Sequence, residues 1–173
     1  MCGIAGIIDS NSSLTSEISI NNFARFNKFR GPDAYGIEVG DLNDSRSYAM
    51  AHHRLSIVDL TESANQPMTK KSWKIIFNGE IYNFREIKAE LKKNGSNFLT
   101  NSDTEVILEL LDIYPIKKAL EKLDGMFAIA AINTSSNQVF LARDRWGKKP
   151  LYYHHDGEHL SFSSDLRSFS TLN

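Results

Sequence analysis

Cys2 is the only cysteine among 173 residues and stands directly behind Met1. A small second residue permits removal of the initiator methionine, and removal leaves one residue carrying both a thiol and a free α-amine. Such an amine titrates near ~7.7–8.0, so part of it is neutral at pH 7 and can take the thiol proton, directly or through a water. Nucleophile and base are then built into a single terminal residue, an N-terminal variant of triad logic. The competing reading is a small buried hydrophobe within the apolar run Gly3–Asp9, which is the usual fate of a free cysteine.

Four polar clusters could serve such a nucleophile. Arg54 closes an apolar stretch, and its planar fork suits a carboxylate held by two parallel hydrogen bonds. An internal ion pair with Asp59 is the equal alternative. Asn78-Gly79 ends another apolar stretch; the pair reads as a hairpin turn, or as an amide and a backbone N–H converging on an oxyanion. Asp103, in Ser102-Asp103-Thr104-Glu105, sits where a helix starts, so it is a cap and also a candidate receiver of an ammonium group. Arg30-Gly31-Pro32-Asp33 reads most simply as a salt-bridged turn.

Other chemistries find no support. Lys plus Arg total 20 against 21 Asp plus Glu, without a basic stripe, so neither nucleic acid nor an anionic membrane is expected as partner. The histidine pairs His52-His53 and His154-His155 split to opposite faces of a strand and fit no metal spacing; no metal is expected. Walker and GxGxxG phosphate loops are missing. One cysteine excludes an internal disulfide framework and suits a reducing cytosol, the short N-terminal apolar run is no signal peptide, and no run reaches membrane-spanning length. A cytoplasmic single domain over residues 1–173 is the expectation.

The elements that must position these residues follow from periodicity. The run Gly3–Asp9 reads as a strand buried on both faces, and residues 16–29 as a helix carrying Ile20, Phe23 and Ala24, ended by Gly31-Pro32. Residues 35–39 and 48–55 read as strands, and residues 56–72 as an ordered functional loop. Residues 73–77 read as a strand running into Asn78-Gly79. Asn83 with Glu86, and Ser102 with Glu105, read as capping boxes of two helices, closed by Gly95 and Pro115. Strands follow at 126–132, 138–143, 150–155 and 160–163, with a hairpin turn at Asp156-Gly157. This order predicts an α+β domain of mainly antiparallel sheets, and two stacked sheets covered by helices would bury the strands that are apolar on both faces.

Eight segments in one order carry a resemblance that covers nearly the whole chain. They are Met1-Cys2-Gly3-Ile4-Ala5-Gly6, Arg30-Gly31-Pro32-Asp33, the block from His53 to Asp59, Gln66-Pro67-Met68, the block from Asn78 to Asn83, Ser102-Asp103-Thr104-Glu105, the block from Leu123 to Ala128, and the block from Arg143 to Tyr153. Together they resemble the class II glutamine amidotransferase domain, in the form found at the N-terminus of glutamine-hydrolysing asparagine synthetases. The resemblance implies an N-terminal-nucleophile hydrolase fold, a four-layer αββα sandwich. It also implies release of ammonia from glutamine through a thioester on Cys2, with the Cys2 α-amine as base. It assigns the substrate carboxylate to Arg54 and the ammonium to Asp103, helped by Glu80 and the backbone near Leu55, Ile57 and Val58. Asn78 and Gly79 would form the oxyanion hole.

The same resemblance implies glutamine as substrate, no cofactor in this domain, and ATP and magnesium only in a synthetase domain whose Ser-Gly-Gly pyrophosphate loop this chain lacks. It implies either an excised domain or one that serves a separate ammonia-accepting partner. Asparagine synthesis from aspartate is the favoured acceptor reaction, with a sugar acceptor or a catalytically silent binding module as alternatives.

Overall fold

The computed structural model describes residues 1–43 and 45–172. Strand β1 (Gly3–Asp9) is buried at every position, as its unbroken apolar run predicts. Its side chains alternate between two interiors. Ala5 and Ile7 meet Ile20, Phe23 and Ala24 of helix α1 (Glu17–Ala24), while Ile4 and Ile8 face a second sheet.

The first sheet adds β2 (Ala34–Asn43), β3 (Arg46–Arg54), β8 (Tyr152–His155) and β9 (Leu160–Ser163), in the order β2-β3-β1-β9-β8. The second contains β4 (Met68–Lys70), β5 (Trp73–Ile81), β6 (Gly125–Asn133) and β7 (Gln138–Arg143), in that order. Every pairing is antiparallel. Ile76, Ala128, Ala130 and Ile132 of the second sheet meet Ile4, Ile8, Met50 and Phe162 of the first. On its outer face, Ile75, Phe77, Ile81, Phe127 and Ile129 pack against α2 (Phe84–Lys93) and α3 (Asp103–Ile113). The result is the expected α+β arrangement of four layers, αββα.

Phe162 is wholly buried between the sheets, and a Cβ on Gly6 would lie 2.2 Å from its ring. That glycine is what lets an aromatic ring lie flat on β1.

Several local expectations are corrected. The first helix does not run to residue 29: it ends at Ala24 and tightens into a 3-10 helix, Arg25–Arg30. Within that turn Asn27 is fully buried, and its Nδ2 donates to Ser163 Oγ at 2.9 Å. Asn78-Gly79 is no hairpin turn, because β5 continues through both residues to Ile81. Asn83 makes no capping bond; its amide instead spans the chain before β6, donating to Lys122 O and accepting from Asp124 N. The Ser102 hydroxyl does cap α3, accepting from Thr104 N, but Glu105 turns to Leu99 N and Thr100 N rather than back to Ser102. Beyond Pro115 the chain re-enters a short helix, α4 (Ile116–Glu121), which the sequence did not suggest.

The loop between β3 and β5 is ordered, as its length and composition predict. It contains a 3-10 turn (Glu62–Ala64) and the three-residue β4. Because β4 pairs only with Trp73–Ile75 of β5, the rest of that edge of β5 lies open. The site forms along this opening.

Candidate active site

Cys2 enters β1 from the end where β3 leaves at Arg54, so antiparallel pairing of β1 with β3 brings the two side by side. One cavity is lined by Cys2, Arg54, Asn78, Gly79, Glu80 and Asp103, and Leu55, Ile57 and Val58 also face it. Every site residue expected from the sequence therefore gathers in one place, drawn from the chain end before β1, from β3, β5 and α3, and from the loop after β3.

The thiol lies against the backbone of Leu55, whose N–H donates to Sγ at 3.4 Å, while Sγ donates to Leu55 O at 3.6 Å. Burial pushes the Cys2 thiol up, with that N–H and the cation of Arg54 opposing the shift. The group is thus a thiol at rest and needs a base. Burial also pulls the neighbouring chain-terminal amine, here on Met1, below its ordinary value, and the cations of Lys149 and Arg30 act in the same direction.

Arg54 is buried and held by the loop that follows it. Nη1 donates to Thr61 O at 2.9 Å and to Asn65 Oδ1 at 2.7 Å, and Nη2 donates to the backbone carbonyl of Asp59. Its partner at Asp59 is thus a carbonyl and not the carboxylate, so the internal ion pair does not form. The Asp59 carboxylate accepts from Asn101 N at 2.7 Å and from Thr61, tying the loop to the approach of α3. Three of the five guanidinium N–H groups are used, which leaves Nε–H and one Nη2–H without an acceptor among the described residues. The Arg30-Gly31-Pro32-Asp33 turn is not salt-bridged either: Arg30 Nε donates to Cys2 O, and Asp33 Oδ2 accepts from Ser56 N.

The open edge of β5 is finished by side chains. Phe77 N donates to Gln66 Oε1 at 2.6 Å, and Phe77 O accepts from His52 Nε2 at 3.2 Å. Ile81 N donates to Asp103 Oδ2 at 3.1 Å. Between them lies Gly79. Its partner across the ladder, Phe127, directs both backbone groups to Asp144 on the far side. Bonded and open pairs alternate along an antiparallel ladder, so the Gly79 N–H faces away from β6 and into the cavity. Beside it, both amide atoms of Asn78 are buried without a partner. A buried unsatisfied amide costs about 1–3 kcal/mol; here the unpaired Asn78 amide lines the same cavity as Gly79.

Asp103 is buried, and burial raises its carboxyl to about 6, with the Glu80 charge adding to the effect. His52 is buried between the sheets, where burial lowers it to about 3, so it is neutral; its Nε2–H donates and Nδ1 is bare. Sequence reasoning assigned no part in the site to Gln66, Ser102, Thr104, Met126 or Lys149, which also line the cavity. Lys149 is buried without a carboxylate in ion-pair range among the described residues, and burial lowers its ammonium pKa. Its signal in the sequence was only its place in the block from Arg143 to Tyr153. No group of three His, Cys, Asp or Glu side chains among the described residues is placed to hold a metal ion, and no helix of the structure is long and apolar enough to cross a membrane.

Solved structures share this architecture. Glutamine phosphoribosylpyrophosphate amidotransferase from B. subtilis, complexed with ADP and GMP, superposes with a TM-score of 0.78 at 20% identity, over 99% of this chain and 43% of that one. A structure of the allosteric regulatory enzyme of purine biosynthesis matches with the same values. The fold is that of the N-terminal-nucleophile hydrolases. The family model of the glutamine amidotransferase domain matches residues 1–173, and the chain belongs to that family.

Curated relatives place it further. A putative asparagine synthetase [glutamine-hydrolyzing] 2 of Methanocaldococcus jannaschii is 34% identical over 96% of this chain and 34% of its own length. Asparagine synthetases [glutamine-hydrolyzing] 1 and 2 of Bacillus subtilis are 36% and 38% identical over 97% of this chain, and 26% and 22% of their own lengths. The chain thus spans about a third of the first of these relatives and less of the other two.

Proposed function

We propose that this domain hydrolyses the side-chain amide of glutamine to glutamate and ammonia, with Cys2 as the mature N-terminal residue. The observation that carries the reading is the meeting of the Cys2 thiol with the two unengaged donors of β5, Asn78 Nδ2 and Gly79 N–H, in one cavity. The Cys2 α-amine takes the thiol proton as Sγ bonds to the amide carbon. The carbonyl becomes an oxyanion that accepts from Asn78 and Gly79. As it collapses, the C–N bond breaks and the ammonium of Cys2 returns its proton to the leaving nitrogen, which departs as ammonia. The amine then deprotonates a water that attacks the thioester, and glutamate leaves as the thiol reforms.

The substrate is held at its other end. The two unengaged donors of Arg54 suit its carboxylate, and ionised Asp103, with Glu80 near, suits its ammonium; Leu55, Ile57 and Val58 form the wall between. A catalytically silent module has no use for the buried, unpaired amide of Asn78, which favours the enzyme over that alternative.

None of these steps needs a cofactor in this domain. The names of the relatives favour asparagine synthesis from aspartate as the use of the ammonia, with ATP and magnesium acting in a synthetase domain or a separate partner. The cytoplasm, rich in glutamine and reducing toward a free thiol, is the compartment we assign.

The deciding experiment is glutamate release from glutamine by tag-free protein, with Met1 removal confirmed by intact mass and Cys2→Ala as control. Turnover that disappears in Cys2→Ala is the expected result. Correctly processed protein without turnover, alone and with candidate synthetase partners, overturns the reading.

A further inference from the structure

Gln66 lines the cavity, and its side chain joins the elements that carry the two ends of the proposed substrate site. Its Oε1 accepts from Phe77 N at 2.6 Å, and its Nε2 donates to Thr104 Oγ1 at 3.0 Å. The side chain is buried. The orientation of this amide is dictated by its partners, because a backbone N–H can bond only to the oxygen. Phe77 directly precedes Asn78, and Thr104 directly follows Asp103. One side chain thus spans from the strand carrying the oxyanion donors to the helix start carrying the ammonium-binding carboxylate.

The fold requires something at this place. Strand β4 leaves β5 at Ile75, and a further strand along that edge would fill the cavity. Gln66 supplies the missing acceptor for Phe77 N while occupying the width of one side chain. Its own backbone is wedged against the first sheet: a Cβ on Gly36 of β2 would lie 2.2 Å from Gln66 O. The bridge is therefore anchored at its base as well as at its tip.

We infer that Gln66 is a positioning residue, setting the distance between the oxyanion donors at Asn78 and Gly79 and the ammonium-binding end at Asp103, and thereby the length of amide side chain the site can hydrolyse. The inference rests on the glutaminase reading. Glutamine's reacting carbon and its ammonium are joined through a short carbon chain, so both ends are in register with the site only at one spacing. Misplacement by about 1 Å can cost on the order of 10²-fold in rate. The cost falls on kcat, because substrate still binds through Arg54 and Asp103 while the oxyanion donors miss the developing charge.

The test uses tag-free, Met1-processed protein and three variants: Gln66→Met, which keeps length and loses both hydrogen bonds, Thr104→Val, which removes only the hydroxyl, and the double variant. Steady-state kcat and KM for glutamine are measured with thermal melting and with the rate of Cys2 alkylation by iodoacetamide. Gln66→Met is expected to lower kcat about 10- to 100-fold and to move KM less than about threefold. Alkylation should stay near the parent rate, because the thiol itself is undisturbed. The double variant should be no slower than Gln66→Met alone, since both changes cut one bridge.

A folded Gln66→Met protein with parental kcat, or losses that multiply in the double variant, overturns the inference. Should Gln66→Met fail to fold, Thr104→Val decides alone: a lowered kcat at constant KM supports the bridge, and a parental kcat overturns it. Parent protein without turnover defeats the glutaminase reading itself, a result distinct from the failure of the bridge.

Discussion

Asp103 and Asn78 show how the site's side chains trade stability for chemistry. Burial raises the Asp103 carboxyl to about 6, above an unfolded value near ~3.9. Between those values the folded state holds a proton that the unfolded state has lost, so stability falls as pH rises through this window. Above about pH 6 the full cost is present, on the order of 3 kcal/mol. Asp103→Asn should therefore melt at a higher temperature than the parent at pH 7 while losing glutamine turnover; a lower melting temperature would show that burial of the charge is no burden. The same carboxyl must be ionised to pair with an ammonium group, so kcat/KM for glutamine should fall about tenfold per unit below pH 6, and a profile flat to pH 5 would exclude it as the ammonium receiver. Asn78→Ala should cost on the order of 10²–10³ in kcat, as for other oxyanion donors. It should not lower the melting temperature, because it removes two buried groups that have no partner.

The proposed nucleophile directly precedes β1 and the proposed oxyanion donors lie on β5, and each strand is shaped by a glycine. In β1, Gly6 gives room to the buried ring of Phe162. Gly6→Ala should push the sheets apart and cost about 1–3 kcal/mol, the usual range for overpacking, read as a lower denaturant midpoint with the slope unchanged. An unchanged midpoint would mean the ring has another place to go. In β5, a Cβ on Gly79 would lie 2.2 Å from Met126 O of the neighbouring strand. The Asn-Gly pair, which favours a hairpin turn in isolation, is held straight because β6 pairs with β5 on both sides of it, from Trp73 to Ile81. Likewise α1 gives way early to a 3-10 turn whose Asn27 is drawn inward to Ser163, a partner 136 residues away. These departures share one cause, a long-range partner outweighing a local preference.

Across the whole molecule, the proposed reaction depends on the N-terminus being free. Cys2 directly precedes β1, which lies between β3 and β9 in the middle of the first sheet, so the chain end lies in the cavity and not on an outer arm. A tag or a retained Met1 turns the Cys2 amine into an amide and removes the base. Such protein should fold and melt like the processed form but turn over about 10²–10⁴-fold more slowly, and cleavage of the tag to expose Cys2 should restore the rate. Equal rates before and after cleavage would locate the base elsewhere, with buried Lys149 the next candidate.

Much of this molecule was legible in the chain alone. The unbroken apolar runs of β1, β5 and β6 announced strands buried on both faces, and that requirement led to two sheets with helices outside. The motifs around Cys2, Arg54, Asn78 and Asp103 singled out the candidate site residues, each read as a reactive group at an element end, although β5 runs on past Asn78 to Ile81. Other features had no local signature. That Gly79 directs its N–H into the cavity follows from which ladder pairs are open. That Arg54 grips the carbonyls of its own loop, and that Gln66 joins Phe77 to Thr104, follows from β4 ending after three residues. Sequence periodicity specifies which face of an element is buried. Which groups meet at its open edge is decided by strand register and by contacts between distant segments, and only the tertiary structure contains those.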